Sequence, residues 1–116
     1  MENSEFEKSK VFTISEALEY VPHSIVTKII IRKATGNVSV VAFDSDTIFT
    51  GKTTPFDTLI QAIDGKAEIV IDLKASLIEI GQSIIISAHA QYEIKAHGRF
   101  KMKSTIIKSG YEDIPV

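Results

Sequence analysis

Few side chains in this sequence are suited to catalysis or metal binding. The three histidines, His23, His89 and His97, are too scattered to form a ligand pattern, and the chain contains no cysteine. The absence of cysteine excludes disulfides, thiolate catalysis and cysteine-ligated metals. No Ser/His/Asp arrangement and no phosphate-binding glycine loop is present. The remaining candidates lie in two stretches, residues 51–65 and 81–96.

Lys52 begins the first stretch, in a Gly-Lys-Thr-Thr-Pro corner. Its ammonium group is either a solvated charge or a group that reaches the mouth of the fold and binds an anionic ligand. If it were buried, the amine would become available as a base or as a carbonyl-reactive group. The sequence leaves these alternatives open.

Tyr92 is the main candidate of the second stretch. It shares the alternation of Ile84 and Ile86, which predicts that it points inwards. A buried tyrosine needs a hydrogen-bond partner, and Thr54 or Thr58 would supply one, closing the interior at this point. The functional alternative is a phenol that acts as an acid or as a ligand donor. His89 lies nearby with the opposite alternation, and it faces the mouth only if the 87–91 corner bulges.

β-Strands must position these residues. Six glycines stand in turn-like contexts, and the segments between them are rich in Ile, Val, Thr and Phe, as is typical of an all-β domain. The predicted strands are residues 25–33, 38–43, 56–63, 67–73, 76–80, 83–87, 91–96 and 99–108. Strands of this number with one apolar face indicate a sandwich or a barrel-like jelly roll.

Alternation within two of these strands assigns side chains to the interior. In residues 67–73 the shared apolar face comprises Ala67, Ile69, Ile71 and Leu73. In residues 99–108 it comprises Phe100, Met102 and Ile106.

The N-terminal region has a different pattern. We expect residues 1–10 to be a loosely held arm and residues 11–116 to form a single domain. Thr13 and Glu16 have the spacing of a capping box. One short helix is therefore predicted over residues 14–20, and Pro22 would end it.

Charge and hydropathy limit the partners. The formal net charge is −2, which gives no general attraction to nucleic acid or anionic lipid. The apolar runs, such as residues 29–31 and 84–86, are far shorter than the roughly 20 residues of a membrane helix. The N-terminus lacks the pattern of a signal peptide. We therefore expect a soluble, cytoplasmic protein that binds neither nucleic acid nor membrane.

The order of these features resembles that of a small single-domain cupin over residues 12–108. Gly65 ends a first motif and begins the strand Gly-Lys-Ala-Glu-Ile-Val-Ile, and Gly81 begins a second motif with Gln-Ser-Ile-Ile-Ile. Residues 53–57 resemble a corner found in many small cupins. The resemblance implies a jelly-roll barrel (a double-stranded β-helix) and a homodimer. The strand around Ile29 to Ile31 is also more apolar than an exposed edge tolerates, which supports a dimer contact there.

The resemblance also implies where a metal would be held. The His-x-His pair and the acid of the first motif fall on Lys52, Thr54 and Thr58, and the histidine of the second motif falls on Tyr92. Transition metals prefer imidazole and carboxylate ligands, which these residues do not provide. A protonated Lys52 would also repel a cation. We therefore expect no metal and no other cofactor.

The sequence thus predicts a metal-free cupin-like protein that binds an unidentified small molecule in its barrel or serves as a dimeric scaffold. The candidate pocket comprises Lys52, Thr54, Phe56, Thr58, His89 and Tyr92. A filled barrel would instead be dominated by Phe56, Thr58, Ile60, Ile84, Ile86 and Tyr92. No residue is assigned as catalytic. The alternative is a metal-independent isomerase or epimerase in which Tyr92 is the acid and His89 or Lys52 is the base.

Overall fold

The structure, a computed structural model, describes residues 5–110. Of the predicted arm, residues 1–4 lie outside the described range, as do residues 111–116 of the predicted domain. Within the described range the elements are a 3-10 helix (Ile14–Glu16) and the strands β1 (Ile25–Lys33), β2 (Gly36–Phe43), β3 (Ile48–Gly51), β4 (Asp57–Ile71), β5 (Lys74–Glu79), β6 (Ser83–Ile86) and β7 (Tyr92–Ile107). All the strand pairs are antiparallel, and the predicted all-β jelly-roll class is confirmed.

Two long strands, β4 and β7, organise the fold. They pair antiparallel from Asp57 opposite Ile107 to Ile71 opposite Tyr92, with irregular register around Asp64. The first half of β4 also pairs with β6, and the corresponding half of β7 pairs with β2, which pairs with β1. The other halves pair with β5 and β3. The β4–β7 pair is therefore shared by both walls of the jelly roll and bends between them.

The prediction of turns at Gly65 and Gly98 was wrong. Segments 56–63 and 67–73 belong to one strand, as do 91–96 and 99–108. Both glycines have positive φ, +71° and +76°, as turn glycines do, but pairing continues on either side of them. They act as bulges that bend a strand rather than end it. The short strand β3 was not predicted.

Leu73 was also wrongly assigned to the interior. Strand β4 ends at Ile71, and Asp72 and Leu73 form the turn that leads into β5. The side chain of Leu73 is 99% exposed. The alternation was correct up to Ile71, but it does not extend through a turn.

The predicted helix over 14–20 is reduced to a single 3-10 turn. Thr13 makes no side-chain cap, and only its carbonyl accepts a hydrogen bond, from the Glu16 N–H at 3.0 Å. The segment is held on the barrel instead, because the Lys101 ammonium donates to the Ser15 carbonyl at 2.6 Å and the Tyr20 hydroxyl donates to Asp64 Oδ2 at 2.5 Å. A short helix has little stability of its own, so these tertiary contacts prevail.

The Tyr20 ring lies between two cations of β7. The Arg99 guanidinium carbon is 4.9 Å and the Lys101 Nζ 4.8 Å from the ring centroid. Burial, followed by the hydrogen bond with Asp64, raises the pKa of Tyr20 well above its ordinary value, so the hydroxyl remains a donor. These contacts fix the segment before β1 against the bend of the fold.

The core fills the space between the two walls. Its largest fully buried side chains are Phe43, Phe100, Ile60, Ile69 and Ile94, whereas Val40 is fully buried outside this cluster. The rings of Phe43 and Phe100 face each other across β2 and β7 with centroids 5.5 Å apart. No helix within residues 5–110 has the length and apolar character needed to cross a membrane.

Candidate functional site

Three connecting segments meet at the end of the jelly roll away from the bend. These are the 52–56 corner between β3 and β4, the 87–91 corner between β6 and β7, and the Asp72–Leu73 turn. The His89 N–H donates to the Thr54 carbonyl at 2.6 Å, and the Ala88 N–H donates to Asp57 Oδ1 at 2.8 Å. These bonds join the two corners and form a rim, which is where the sequence analysis expected a site.

A cavity of about 740 Å³ lies at this rim. Its lining comes from residues 50–53 at the end of β3, from residues 91–93 at the start of β7, and from Val70 and Leu73. We call it the rim cavity. Thr50, Val70 and Glu93 alternate along their strands with the inward-facing Phe49, Ile69 and Ile94, so they belong to the outer face of the wall. The rim cavity therefore extends over the end of the wall and is not the barrel interior that the sequence analysis expected.

The barrel interior itself is filled. Of the predicted contents, Ile60 and Ile86 are buried in the core, and Ile84 and Tyr92 pack against it while partly exposed. Phe56 and Thr58 are half-buried and lie outside this cluster.

Tyr92 joins the core to the rim cavity. It lies opposite Gly51 across β3 and β7, and its ring covers the glycine so closely that a Cβ atom at position 51 would collide with it. The Phe49 ring is next to it, with centroids 6.1 Å apart. Glycine at position 51 is therefore required for the observed position of the tyrosine ring.

The predicted partners of the Tyr92 hydroxyl are not used. Thr54 Oγ1 is engaged within its own corner, where it donates to the Phe56 carbonyl at 3.1 Å and accepts from the Phe56 N–H at 3.3 Å. Thr58 lies on β4 opposite Ile86, in the other wall. The Tyr92 hydroxyl bonds to no residue between 5 and 110, and burial raises the pKa of Tyr92. It is a protonated donor with its hydrogen-bonding capacity unused inside the described chain.

Charges at the rim are arranged asymmetrically. Lys52 is exposed and forms no ion pair or hydrogen bond with another described residue. The Glu93 carboxylate, by contrast, lies 3.9 Å from Lys95 Nζ and accepts a hydrogen bond from Thr50 Oγ1 at 3.5 Å. The negative charge of Glu93 is therefore partly compensated by neighbouring groups, whereas the positive charge of Lys52 is not.

The structure divides the predicted candidate set. Lys52 and Tyr92 line the rim cavity, whereas Thr54, Phe56, Thr58 and His89 do not. His89 is exposed and has a φ of +70°. Its contribution to the rim is the backbone N–H that bonds to Thr54.

Sequence reasoning missed Val70, Leu73 and Glu93. Alternation assigned Val70 and Glu93 to the face away from the core, where no site was expected. Leu73 carried no signal of its own, because the dipeptides that mark a two-residue hairpin loop contain glycine and Asp-Leu does not.

The residues at the family metal positions do not fit a transition metal. Lys52, Thr54, Thr58 and Tyr92 offer an ammonium, two hydroxyls and a phenol, while such ions prefer imidazole and carboxylate. Across residues 5–110, no three His, Asp or Glu side chains are grouped closely enough to hold an ion.

Comparisons with known proteins bear on the fold. No protein-family model matches the sequence, and no curated protein is significantly similar to it. A conserved protein of unknown function from Streptococcus pyogenes has a similar structure, with a TM-score of 0.84 at 20% identity over 91% of this chain and 93% of that one. A cupin superfamily protein from Desulfitobacterium hafniense also has a TM-score of 0.84, at 16% identity, over 94% of this chain and all of that one.

A cupin 2 conserved barrel domain protein from Leptotrichia buccalis has a TM-score of 0.80 at 24% identity. The match covers 84% of this chain and 47% of that one. At these identities the similarity concerns the path of the chain and not its chemistry. Together with the bent β4–β7 strand pair and the two-walled jelly roll, it identifies the chain as a small protein of the cupin fold.

Proposed function

We propose that this protein is a metal-free small-molecule-binding protein and that its ligand occupies the rim cavity. The observation that carries the proposal is the Tyr92 hydroxyl, a half-buried donor without a partner among the described residues, which lines the same cavity as the unpaired Lys52. The hydroxyl oxygen is accessible from the cavity and not sealed in the core, so a bound molecule can accept the hydrogen bond that the described chain leaves open.

The dimensions of the cavity suit such a ligand. Small-molecule sites commonly enclose about 300–1,000 Å³ and combine apolar walls with a few polar groups, and the rim cavity has 740 Å³. Val70 and Leu73 provide the apolar wall, and Lys52, Gln91 and Tyr92 provide the polar groups. Because side chains fill the barrel interior, the rim cavity is the better-supported binding position.

Catalysis is the less supported alternative. An isomerase or epimerase needs an acid and a base within reach of one substrate, and His89 does not line the cavity. The remaining pair is Tyr92 and Lys52. A raised pKa makes the Tyr92 phenol a poorer acid near neutral pH, because a catalytic group works best with a pKa near the operating pH. The same shift suits a hydrogen-bond donor.

A screen of small organic compounds by thermal unfolding tests the proposal. A compound bound at the rim raises the Tm, since a ligand present at 100 times its Kd adds about 2.7 kcal/mol to the free energy of unfolding. Replacing Tyr92 with Phe or Lys52 with Gln removes one polar contact, for which we expect a two- to tenfold weaker Kd.

Two matched variants control for general effects. Tyr20→Phe removes a hydroxyl outside the rim cavity, and Lys103→Gln removes a half-buried charge on the other wall, so neither should alter the Kd. A stabilising compound whose Kd is the same in the Tyr92→Phe and Lys52→Gln variants would contradict the assignment of the site. Stoichiometric iron, manganese, nickel or zinc in protein purified without a histidine tag would contradict the metal-free proposal.

We also propose that the protein is a homodimer, but that its contact is not the edge of β1. The outer edge of β1 is already bonded by the arm, since the Phe6 N–H donates to the Ile30 carbonyl at 2.9 Å and the Arg32 N–H donates to Glu5 at 2.7 Å. The outer face of the same wall instead carries a row of side chains that are neighbours across five strands: Ile31, Val38, Thr105, Leu59 and Ile85. Ile31 and Ile85, at its two ends, are 45% and 63% exposed.

Light scattering on the purified protein tests this contact. We expect a dimeric mass for the wild type and a monomeric mass for Ile85→Lys, because burying a lysine within an apolar contact is unfavourable. Leu77→Lys, a similar change on the other wall, should leave the dimer intact. A monomeric wild type at moderate concentration would refute the proposal.

A further inference from the structure

The Asp72–Leu73 turn holds a leucine in a backbone conformation that leucine rarely adopts. Ile71 and Lys74 pair directly on either side of it, so the loop has two residues, and their φ angles are +47° and +70°. Two-residue hairpin loops with both φ angles positive favour Asn-Gly or Asp-Gly. Asp72 fits this rule. A leucine in the second position, where glycine would be free of strain, costs conformational energy.

Neighbouring contacts hold the turn in place. The Asp72 N–H donates to the Gln91 carbonyl at 2.9 Å, and the Gln91 N–H donates to Asp72 Oδ1 at 3.1 Å. This reciprocal pair ties the turn to the start of β7. Leu73 is therefore presented at a fixed position rather than on a mobile loop.

Packing within the chain does not explain the leucine. Its side chain is 99% exposed and therefore gains almost nothing from burial. A strained backbone position without a structural benefit points to a function at that position. Within the described residues, Leu73 lines the rim cavity together with Val70.

The polar groups of the same cavity indicate the charge of the ligand. Lys52 is a cation without a partner among residues 5–110, and Tyr92 carries a free donor. The one carboxylate that lines the cavity, Glu93, lies near Lys95 and Thr50. Lys52 and Tyr92 are therefore the donors of the cavity that no described residue uses, and they share it with the apolar Val70 and Leu73.

We propose that Leu73 is a specificity-determining residue of the rim cavity and that the cavity takes an amphipathic organic anion. The apolar or aromatic body of the ligand would rest on Leu73 and Val70. Its carboxylate or sulfonate group would accept from the Lys52 ammonium and the Tyr92 hydroxyl. This inference rests on the proposed function and adds the class of ligand and the residue that selects it.

Titration with 8-anilinonaphthalene-1-sulfonate, an aromatic sulfonate whose fluorescence reports binding, tests the inference on the full chain. We expect saturable binding at one site per protomer. Leu73→Gly should weaken the Kd at least fivefold because it removes the apolar wall. It should not lower the Tm, because glycine relieves the strained turn. Leu73→Asn, which also tolerates positive φ, should weaken binding similarly.

A matched control comes from β5. Leu77 is half-exposed and lies outside the rim cavity, so Leu77→Ala should leave the Kd unchanged. If Lys52→Gln weakens binding of the probe but Leu73→Gly binds it as the wild type does, the role of Leu73 is refuted while the proposed site stands. If Lys52→Gln, Tyr92→Phe and Leu73→Gly all bind as the wild type does, both the inference and the proposed function are refuted. The absence of saturable binding would refute the anionic ligand class.

Discussion

Replacing Phe100 with alanine is expected to lower the free energy of unfolding by about 3–5 kcal/mol. Phe100 is fully buried and lies on β7 immediately after the bend, directly opposite Phe43 of β2. The rings are tilted by 54° with centroids 5.5 Å apart, a geometry that adds to the value of burial. Truncation would remove this contact and leave a cavity between the two walls, where the surrounding strands can close only in part.

The loss would be a large share of the total stability. Domains of this size have free energies of unfolding of about 5–15 kcal/mol. Urea denaturation followed by circular dichroism measures the change directly. Phe12→Ala is the matched control, because Phe12 is 43% exposed and contacts Phe6 on the surface. A loss at Phe100 no larger than that at Phe12 would show that the core is not where we place it.

The interior position of Phe100 was predictable from the sequence, and the reason is physical. Along a strand with one buried face, apolar side chains recur at every second residue. Phe100 and Met102 follow this rule, alternating with Lys101 and Lys103. Ile69, which the same reasoning assigned to the interior, is also fully buried. The jelly-roll class followed from such strands together with the order of the glycines.

The continuity of β4 and β7 was not predictable from the same signals. A glycine with positive φ is compatible with a turn and with a bulge, and only the partner strand decides between them. At Gly65 and Gly98 pairing resumes on the far side, so the chain bends and continues. The position of the segment before β1 depends in the same way on distant partners, Asp64 and Lys101, that no local pattern reveals.

The candidate site was predictable only in part. Lys52 and Tyr92 were found because their residue types and positions stand out in the two motifs. Val70 and Glu93 were missed because the search was confined to the inward face, although the cavity extends over the end of the wall. Leu73 was misassigned because an alternating pattern carries no mark at the residue where a strand becomes a turn.

Replacing Gly65 with alanine should lower the free energy of unfolding by about 2–4 kcal/mol, from the strain of a left-handed backbone and from overpacking. Gly65 has a φ of +71°, and a Cβ atom at this position would collide with the backbone carbonyl oxygen of Arg99 on β7. No rotamer change relieves a collision between a Cβ atom and a backbone. The two central strands must therefore separate at the bend that joins the walls.

Gly98 provides the control for this prediction. It lies in the same bend with a φ of +76°, but a Cβ atom there would meet no heavy atom within 4 Å. Gly98→Ala should therefore cost only the conformational part, about 1–2 kcal/mol. The difference between the two variants in urea denaturation isolates the steric part. Equal losses would mean that close approach of β4 and β7 at Gly65 does not shape the bend, and that backbone conformation alone bends both strands.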